Sequence, residues 1–399
     1  MSGQQPARRW QGPLPLARRI RDDQEALQRA REIAAILAPG AAQRDQERRY
    51  PEAELEAFSA SGLWAISVPQ AYGGAGVSYK TVARVFTLLA AADPSVAQLA
   101  QGHTSVLAIV ARVGTQEQKH DVLGRALAGY RLGTAGAEPG AVGQAMQTRI
   151  STVDGQAQIS GQKFFSTGAL LSHWVAVYAL DEQDRLTVCL VDRQAPGLLI
   201  EDDWHSFGQR TTASGTLTLD QVPLEPRYII PAWRAYADGP QNAVTHITHA
   251  AIDCGILQAA IDDSLACLRE RYGTDLATVD GHILQTLGGL QIGLHGAQEL
   301  LDRAGDLLDS AIFSGDPARH RAAEIAVYEA KVQCAETALR ACSVLFELVG
   351  ARATFSQRNL DRHWRNARTH TVHDPVYLRQ RDIGRYWLGE APLGQEQEE

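Results

Sequence analysis

The chain has 399 residues, 45% of them apolar, and its 38 Lys+Arg against 46 Asp+Glu leave a formal net charge of -8. That length supports two or three cooperating domains, and arginines dispersed over an acidic chain argue against nucleic acid as a partner. Arg8, Arg9, Arg18, Arg19 and Arg21 precede no continuous apolar run, and no stretch approaches the roughly 18 apolar residues of a membrane span, so a cytoplasmic protein with no membrane partner is expected.

From about Arg18 to Tyr130 the pattern is helical, with Leu27, Ala30, Ile33, Ala34 and Leu37 recurring at three- and four-residue steps. Pro51 opens a helix, Gly62 ends it, Tyr72 to Gly76 forms a loop, and Asp93-Pro94-Ser95 starts another helix. Between Leu132 and Pro231 short β-like runs appear, at 174–178, 186–191 and 216–219, punctuated by Asp154-Gly155, Gly161, Gly168 and Pro196-Gly197. After Tyr236 long amphipathic helices return, over 245–272, 282–313 and 317–350, with a further segment over 360–388 and an acidic tail, Gln395 to Glu399. The expected architecture is mainly α with an inserted β domain: an N-terminal helical domain (1–130), a middle β-barrel or sandwich (131–235) and a C-terminal four-helix bundle (236–399). Cys189, Cys254, Cys267, Cys334 and Cys342 are widely spaced, mostly in apolar helical runs, and read as buried free thiols.

No Gly-x-Gly-x-x-Gly after a strand and no P-loop lysine motif occurs, so a bound cofactor must have its phosphate held in another way. Arg269 and Arg271, at the end of a long helix, suit a phosphate clamp, although cations there more often simply complement the dipole of a helix C-terminus. The block Arg365 to Pro375 places His370 and His373 three residues apart, on one side of a helical turn, with Asp374 beside them. His-x-x-His without thiolate or glutamate company is a poor metal motif, which leaves two readings. The pair is either ordinary polar structure before a helix opened by Asp374-Pro375, or a proton donor to an oxygen intermediate. His103 stands in an apolar helix, where a lone histidine is usually structural, and His246 and His249 form a second His-x-x-His that qualifies only as pocket lining. Phe164, Phe165, Ser166 and Thr167, together with Trp204 and Phe207, offer hydroxyls and rings, which suit a β-domain core or a flat heteroaromatic cofactor.

Five ordered motifs carry a family resemblance: Pro69 to Gly76, Glu138-Pro139-Gly140, Gly161 to Thr167, Phe207-Gly208-Gln209-Arg210, and Arg365-Asn-Ala-Arg368. In this order they resemble the acyl-CoA dehydrogenase superfamily over nearly the whole chain. Asp203 to Thr212, Gly350 to Ala353 and Arg365 to Pro375 look like its flavin monooxygenase branch, which includes dibenzothiophene monooxygenase and sulfur-acquisition oxidoreductases.

The resemblance implies a two-component monooxygenase that receives FMN as FMNH2 from a separate flavin reductase. It would react with O2 through a C4a-hydroperoxyflavin and oxygenate a small organosulfur, amine or aromatic substrate. His103, Thr167, His370 and His373 are then the expected catalytic residues. Thr134, Phe165, Thr167, Trp204, Arg269 and Arg271 are the expected cofactor contacts, with no metal. Thr134 and Thr167 depart from the asparagine and serine of relatives but keep a hydroxyl donor. The resemblance also implies a homotetramer, a dimer of dimers in which an arginine of one subunit reaches its neighbour's flavin. The alternative is an FAD-dependent acyl-CoA dehydrogenase. In one family arrangement its carboxylate base would fall at His373-Asp374-Pro375, where Asp374 is one methylene short and proline stiffens the turn; in others the base comes from elsewhere in the bundle.

Overall fold

The structure, a computed structural model, describes residues 16–138 and 146–389. Pro139 and Gly140 of the second motif, Arg8, Arg9 and the acidic tail lie outside the described residues.

Five helices come first: α1 (Asp23–Glu47), α2 (Glu52–Ser61), α3 (Tyr79–Ala92), α4 (Pro94–Val113) and α5 (Gln116–Leu127). Their ends follow local chemistry. Asp22 accepts from Glu25 N at the start of α1, Gly62 closes α2 with φ 87°, and Asp93 accepts from Ser95 N and Val96 N to cap α4. Thr115 and Gln118 form a capping box on α5. Ala26, Ala30, Ile33 and Leu37 make the buried face of α1, close to the expected set.

Eight strands follow: β1 (Leu132–Ala135), β2 (Arg149–Val153), β3 (Gln156–Lys163), β4 (Trp174–Leu180), β5 (Leu186–Asp192), β6 (Leu198–Ile200), β7 (Leu217–Leu224) and β8 (Ile229–Ile230). They form one sheet in the order β6-β7-β3-β2-β4-β5-β8, with β1 parallel to β4. Val175, Ala176 and Val177 of β4 are all buried because helices and strands cover both sides of the sheet there.

The chain then returns to helices: α6 (Ala232–Ala237), α7 (Gln241–Tyr272), α8 (Gly281–Ala311), α9 (Pro317–Val349), α10 (Asp361–Thr371) and α11 (Val376–Trp387). The segment 360–388 is therefore two helices, split where Pro375 withholds a backbone N–H and disfavours helical geometry before it. Ala330, Cys334, Ala338, Ala341 and Leu345 of α9 are buried in the same core as Ile247, Ala251, Cys254 and Leu257 of α7, and mostly small side chains let the two helices lie close. That core is continuous from Ile33 and Phe86 through Val177 to Leu345, so sheet and bundle are anchored to each other. All five cysteines are free thiols. Among the described residues no helix is long and apolar enough to cross a membrane.

Candidate active site

The β domain contributes a wall of hydroxyls and rings. Strand β3 ends at Lys163, which is fully buried and paired with Glu138 Oε1 at 2.7 Å. Burial acts to raise the Glu138 pKa, but hydrogen bonds from Gln147 N, Lys163 and Thr148 outweigh it and hold the value at about 2. This fixed pair pins the base of the segment that follows. Thr134 N donates to Thr167 O at 3.0 Å, and Thr167 Oγ1, Ser214 Oγ and Thr212 Oγ1 form a hydroxyl ladder with spacings of 3.0 and 2.8 Å. Trp204 Nε1 donates to Gln209 O at 2.8 Å, and the Phe165 ring meets the indole edge-on at 5.9 Å. Phe165, Gln209 and Ala213 hold positive φ (52°, 50° and 48°), an unfavourable backbone for such residues that clusters along this wall.

Helix α10 clamps the Trp204–Gln209 loop from the other side. Asn366 Oδ1 accepts from Gln209 N at 2.7 Å, and Arg365 Nη1 donates to Phe207 O at 2.9 Å. Gly208 lies so close to the helix that a Cβ there would sit 2.0 Å from Arg365 O and 2.6 Å from Thr369 Oγ1, so only glycine fits. One turn beyond Asn366, the same helix carries His370.

His370 is the centre of a buried polar chain. Its Nδ1 lies 2.7 Å from Asp253 Oδ1 and its Nε2 lies 3.0 Å from His249 Nδ1, with His370 3% and Asp253 1% exposed. The His249 ring sits between His370 and His373, with centroids 5.1 Å from each. Burial, then the charges of Lys331, His370, His373 and His246, keep His249 well below the ordinary imidazole pKa. Burial of its imidazole among the bundle residues, then the charges of His370 and Lys331, lowers His373 to about 4, although the residue keeps solvent exposure.

Asp374 anchors this cluster. It accepts from Arg379 Nε and Nη2 at 3.1 and 3.0 Å, from Lys331 Nζ at 3.0 Å and from His246 Nε2 at 3.0 Å. Burial pushes its pKa upward, but the hydrogen bond from His246 and the charge of Lys331 win and hold it well below the usual carboxylate range. A carboxylate with so many donors is a weak base, so Asp374 does not fit the proton-abstracting role that an acyl-CoA dehydrogenase needs.

Helix α4 packs against both β1 and α7. A Cβ at Gly102 would meet Thr134 Oγ1 at 2.4 Å, so helix and strand touch there, while Gln101 Nε2 reaches Thr245 O at 3.4 Å, one turn before His249. Thr134, Phe165, Thr167 and Trp204 are thus brought together in the β domain, and His370 and His373 beside His249 in the bundle, with α10 linking the two groups.

Three expected site residues lie apart. His103 is fully buried with both ring nitrogens committed: Nδ1 accepts from Leu132 N at 3.1 Å, and Nε2 donates to Trp64 O at 2.8 Å. Burial lowers its pKa to about 4, so it is a neutral tie between α4, β1 and the chain after α2, not a free donor at the cleft. Arg269 and Arg271 are exposed at the end of α7, where Arg271 lies over the Tyr272 ring. Arg269 is twenty residues beyond His249, about 30 Å along the helix. Conversely, His249 and Asp253 are central although the sequence offered them only as lining or not at all. The available signal was the spacing of His246, His249 and Asp253, at i, i+3 and i+7 on one helix face.

The cleft fits a flat group with a polar edge. Gln209 Oε1 and Nε2, Ser166 Oγ, Thr369 Oγ1 and Gln98 Oε1 are buried without hydrogen-bond partners, and each unmade bond costs about 1–3 kcal/mol. Ser166, Gln209 and Thr369 lie along the walls just described, so a ligand carrying donors and acceptors on a ring system would satisfy them.

Comparison with known proteins identifies the family. The acyl-CoA dehydrogenase N-terminal, middle and C-terminal domain families match residues 21–130, 133–222 and 247–376. A protein of Pseudomonas putida named probable FMNH2-dependent monooxygenase SfnC is 30% identical, over 92% of this chain and 95% of its own. Dibenzothiophene monooxygenase of Rhodococcus erythropolis is 29% identical, over 93% and 95%. The crystal structure of FMN-bound TdsC from Paenibacillus sp. A11-2 superimposes with a TM-score of 0.86 at 27% identity, covering 92% of this chain and 98% of that one. Methanesulfinate monooxygenase MsuC from Pseudomonas fluorescens gives 0.83 at 30%, with the same coverage. Butyryl-CoA dehydrogenase from Megasphaera elsdenii, at 19% identity and a TM-score of 0.81, shares the fold. The chain belongs to the acyl-CoA dehydrogenase family, in its flavin-dependent monooxygenase branch.

Proposed function

We propose that this chain is an FMNH2-dependent, two-component monooxygenase that oxygenates a small organosulfur substrate, with reduced FMN delivered by a separate flavin reductase. The observation that carries the reading is that helix α10 joins two groups: through Asn366 it holds the loop that bears Trp204, beside Phe165, and a turn later it presents His370 to the buried imidazoles. The orphaned polar atoms of Ser166, Gln209 and Thr369 support flavin binding, and the relatives named for FMNH2 and FMN support FMN over FAD.

When bound, the reduced flavin supplies two electrons and activates O2. The protein's part is to hold and shield. Trp204 and Phe165 pack against the ring system, Thr134 and Thr167 bond its edge, and His373 bonds oxygen on the bundle side, with His370 behind it tied to Asp253 and His249. His103 takes no part at the oxygen and holds the scaffold behind it. The saturated Asp374 disfavours the acyl-CoA dehydrogenase alternative.

The assembly is a dimer of dimers in which Arg269 and Arg271 of one subunit serve the neighbour's cofactor phosphate. Their separation from the imidazoles within one chain supports this, as do Leu284 and Ile292, exposed on α8.

The test is to mix the protein with photoreduced FMN and isotopically labelled O2 in the presence of methanesulfinate, a dialkyl sulfone or dibenzothiophene. Labelled oxygen in at least one product is the expected result. No incorporation from any of them, together with bleaching of bound oxidised FAD by an acyl-CoA under anaerobic conditions, overturns the reading.

A further inference from the structure

We infer that Asp253, His370 and His249 form a proton-delivery chain ending at His249 Nε2, with His249 as a catalytic donor to oxygen and Asp253 as the positioning residue that sets the tautomer of His370. This rests on the monooxygenase reading above.

The geometry sets the direction of the chain. A carboxylate is an acceptor, so the bond of 2.7 Å to Asp253 Oδ1 places a proton on His370 Nδ1. His370 Nε2 then has two states toward His249 Nδ1, 3.0 Å away. In the charged state, Nε2–H donates to His249 Nδ1 and His249 carries its own proton on Nε2. In the neutral state, Nε2 accepts from His249 Nδ1–H and His249 Nε2 is bare. Passing between the states releases one proton at His249 Nε2 and moves one across the His370–His249 bond, with no ring displaced.

The surroundings allow this end to act. His249 makes no other side-chain hydrogen bond among the described residues, and its Nε2 is not one of the sealed polar atoms, so that nitrogen retains an opening. The ring lies 5.1 Å from that of His373, tilted by 30°, and His373 is exposed. The neighbouring charges are balanced separately: Lys331 on α9, His246 on α7 and Arg379 on α11 all converge on Asp374. Asp253 is therefore left to His370. Burial and the cationic neighbours hold His249 neutral, which suits a group that transmits a proton and keeps no charge.

The reaction needs such a device. Oxygenation joins one atom of O2 to the substrate and breaks the O–O bond, while the second atom leaves as water after taking up two protons and the two electrons of the reduced flavin. A proton supplied at the wrong time or place lets hydrogen peroxide leave instead. His249 Nε2 supplies one proton under control of the His370 bond.

The first test uses flavin-free protein labelled with 15N-histidine, read by magic-angle-spinning NMR. The expected result is a His370 ring with Nδ1 protonated in a strong hydrogen bond, lost in Asp253→Asn and kept in Asp253→Glu and His249→Phe. A His370 ring protonated on Nε2 alone, or a signal indifferent to Asp253→Asn, overturns the proposal. The second test measures hydrogen peroxide released per O2 consumed with photoreduced FMN. His249→Phe and Asp253→Asn should each raise it about tenfold, the double variant should be no worse than either, and His249→Gln, which keeps a polar group without proton transfer, should match His249→Phe. Unchanged coupling in His249→Phe overturns it. Because the NMR state does not depend on turnover, a correct His370 tautomer in a protein that oxygenates no sulfur compound refutes the enzyme assignment and leaves the hydrogen-bonded chain standing.

Discussion

Replacing Asp374 by Asn is the most informative single perturbation of the site. The change preserves shape and removes one negative charge from the point where Lys331, Arg379 and His246 meet. Arg379 keeps a second carboxylate, Asp382, at 3.0 Å, but Lys331, 3% exposed, has Asp374 as its ion-pair partner among the described residues. Breaking a buried pair from one side costs about 3–5 kcal/mol, because the remaining charge stays desolvated. Asp374 and Arg379 retain some solvent contact, which places the expected loss near the lower bound, about 3 kcal/mol. Adding Lys331→Met removes the stranded ammonium, and the double variant should recover about half of that loss. The assay is urea denaturation of flavin-free protein followed by tryptophan fluorescence, at fixed protein concentration so that subunit association is held constant. If Asp374→Asn is as stable as the parent, or if the double variant is less stable than Asp374→Asn alone, the account of Asp374 as a charge anchor is refuted.

Other outcomes follow from the same geometry. His370→Ala and His373→Ala should each keep FMN binding within a few-fold while releasing more hydrogen peroxide per O2, measured with a peroxidase-coupled dye; unchanged coupling in both removes the imidazoles from the chemistry. Gly208→Ala places a Cβ 2.0 Å from Arg365 O and should weaken FMN binding at least tenfold by flavin fluorescence titration, whereas a normal affinity would mean that the loop tolerates displacement. Acid should destabilise the fold between about pH 6.5 and 4. His103 binds its proton near 6.5 when unfolded but only near 4 when folded, so its contribution is complete above 6.5 and lost as pH falls toward 4. His103→Gln should flatten that part of the stability profile in thermal melts, and an unchanged slope would refute the assignment.

Much of the fold could be read from local chemistry. The spacing of apolar residues in α1, the Asp93-Pro94 start of α4 and the long periodic runs of α7 to α9 all mark elements found in the structure. Strands β2 and β3 are less visible because Ser151, Thr152, Gln158, Ser160 and Gln162 leave no apolar run. Only the Asp154-Gly155 turn betrays them, both residues holding positive φ as a two-residue hairpin requires. In the site, the aromatic and hydroxyl wall is carried by contiguous motifs and is legible. The imidazole chain is not, because His370 meets His249 across 121 positions and only folding shows which histidines touch. His103 shows the converse: the apolar helix around it already favoured a structural role, and its two backbone partners agree with that.

Helix α10 grips the Trp204–Gln209 loop through Arg365 and Asn366 and, a turn later, presents His370 to Asp253. The seat for the ring and the source of the proton are therefore indexed on a single rigid ruler, about 6 Å apart along its axis. An inserted residue between Asn366 and His370 would swing the imidazole by about 100° and detach it from Asp253, while the loop grip survived.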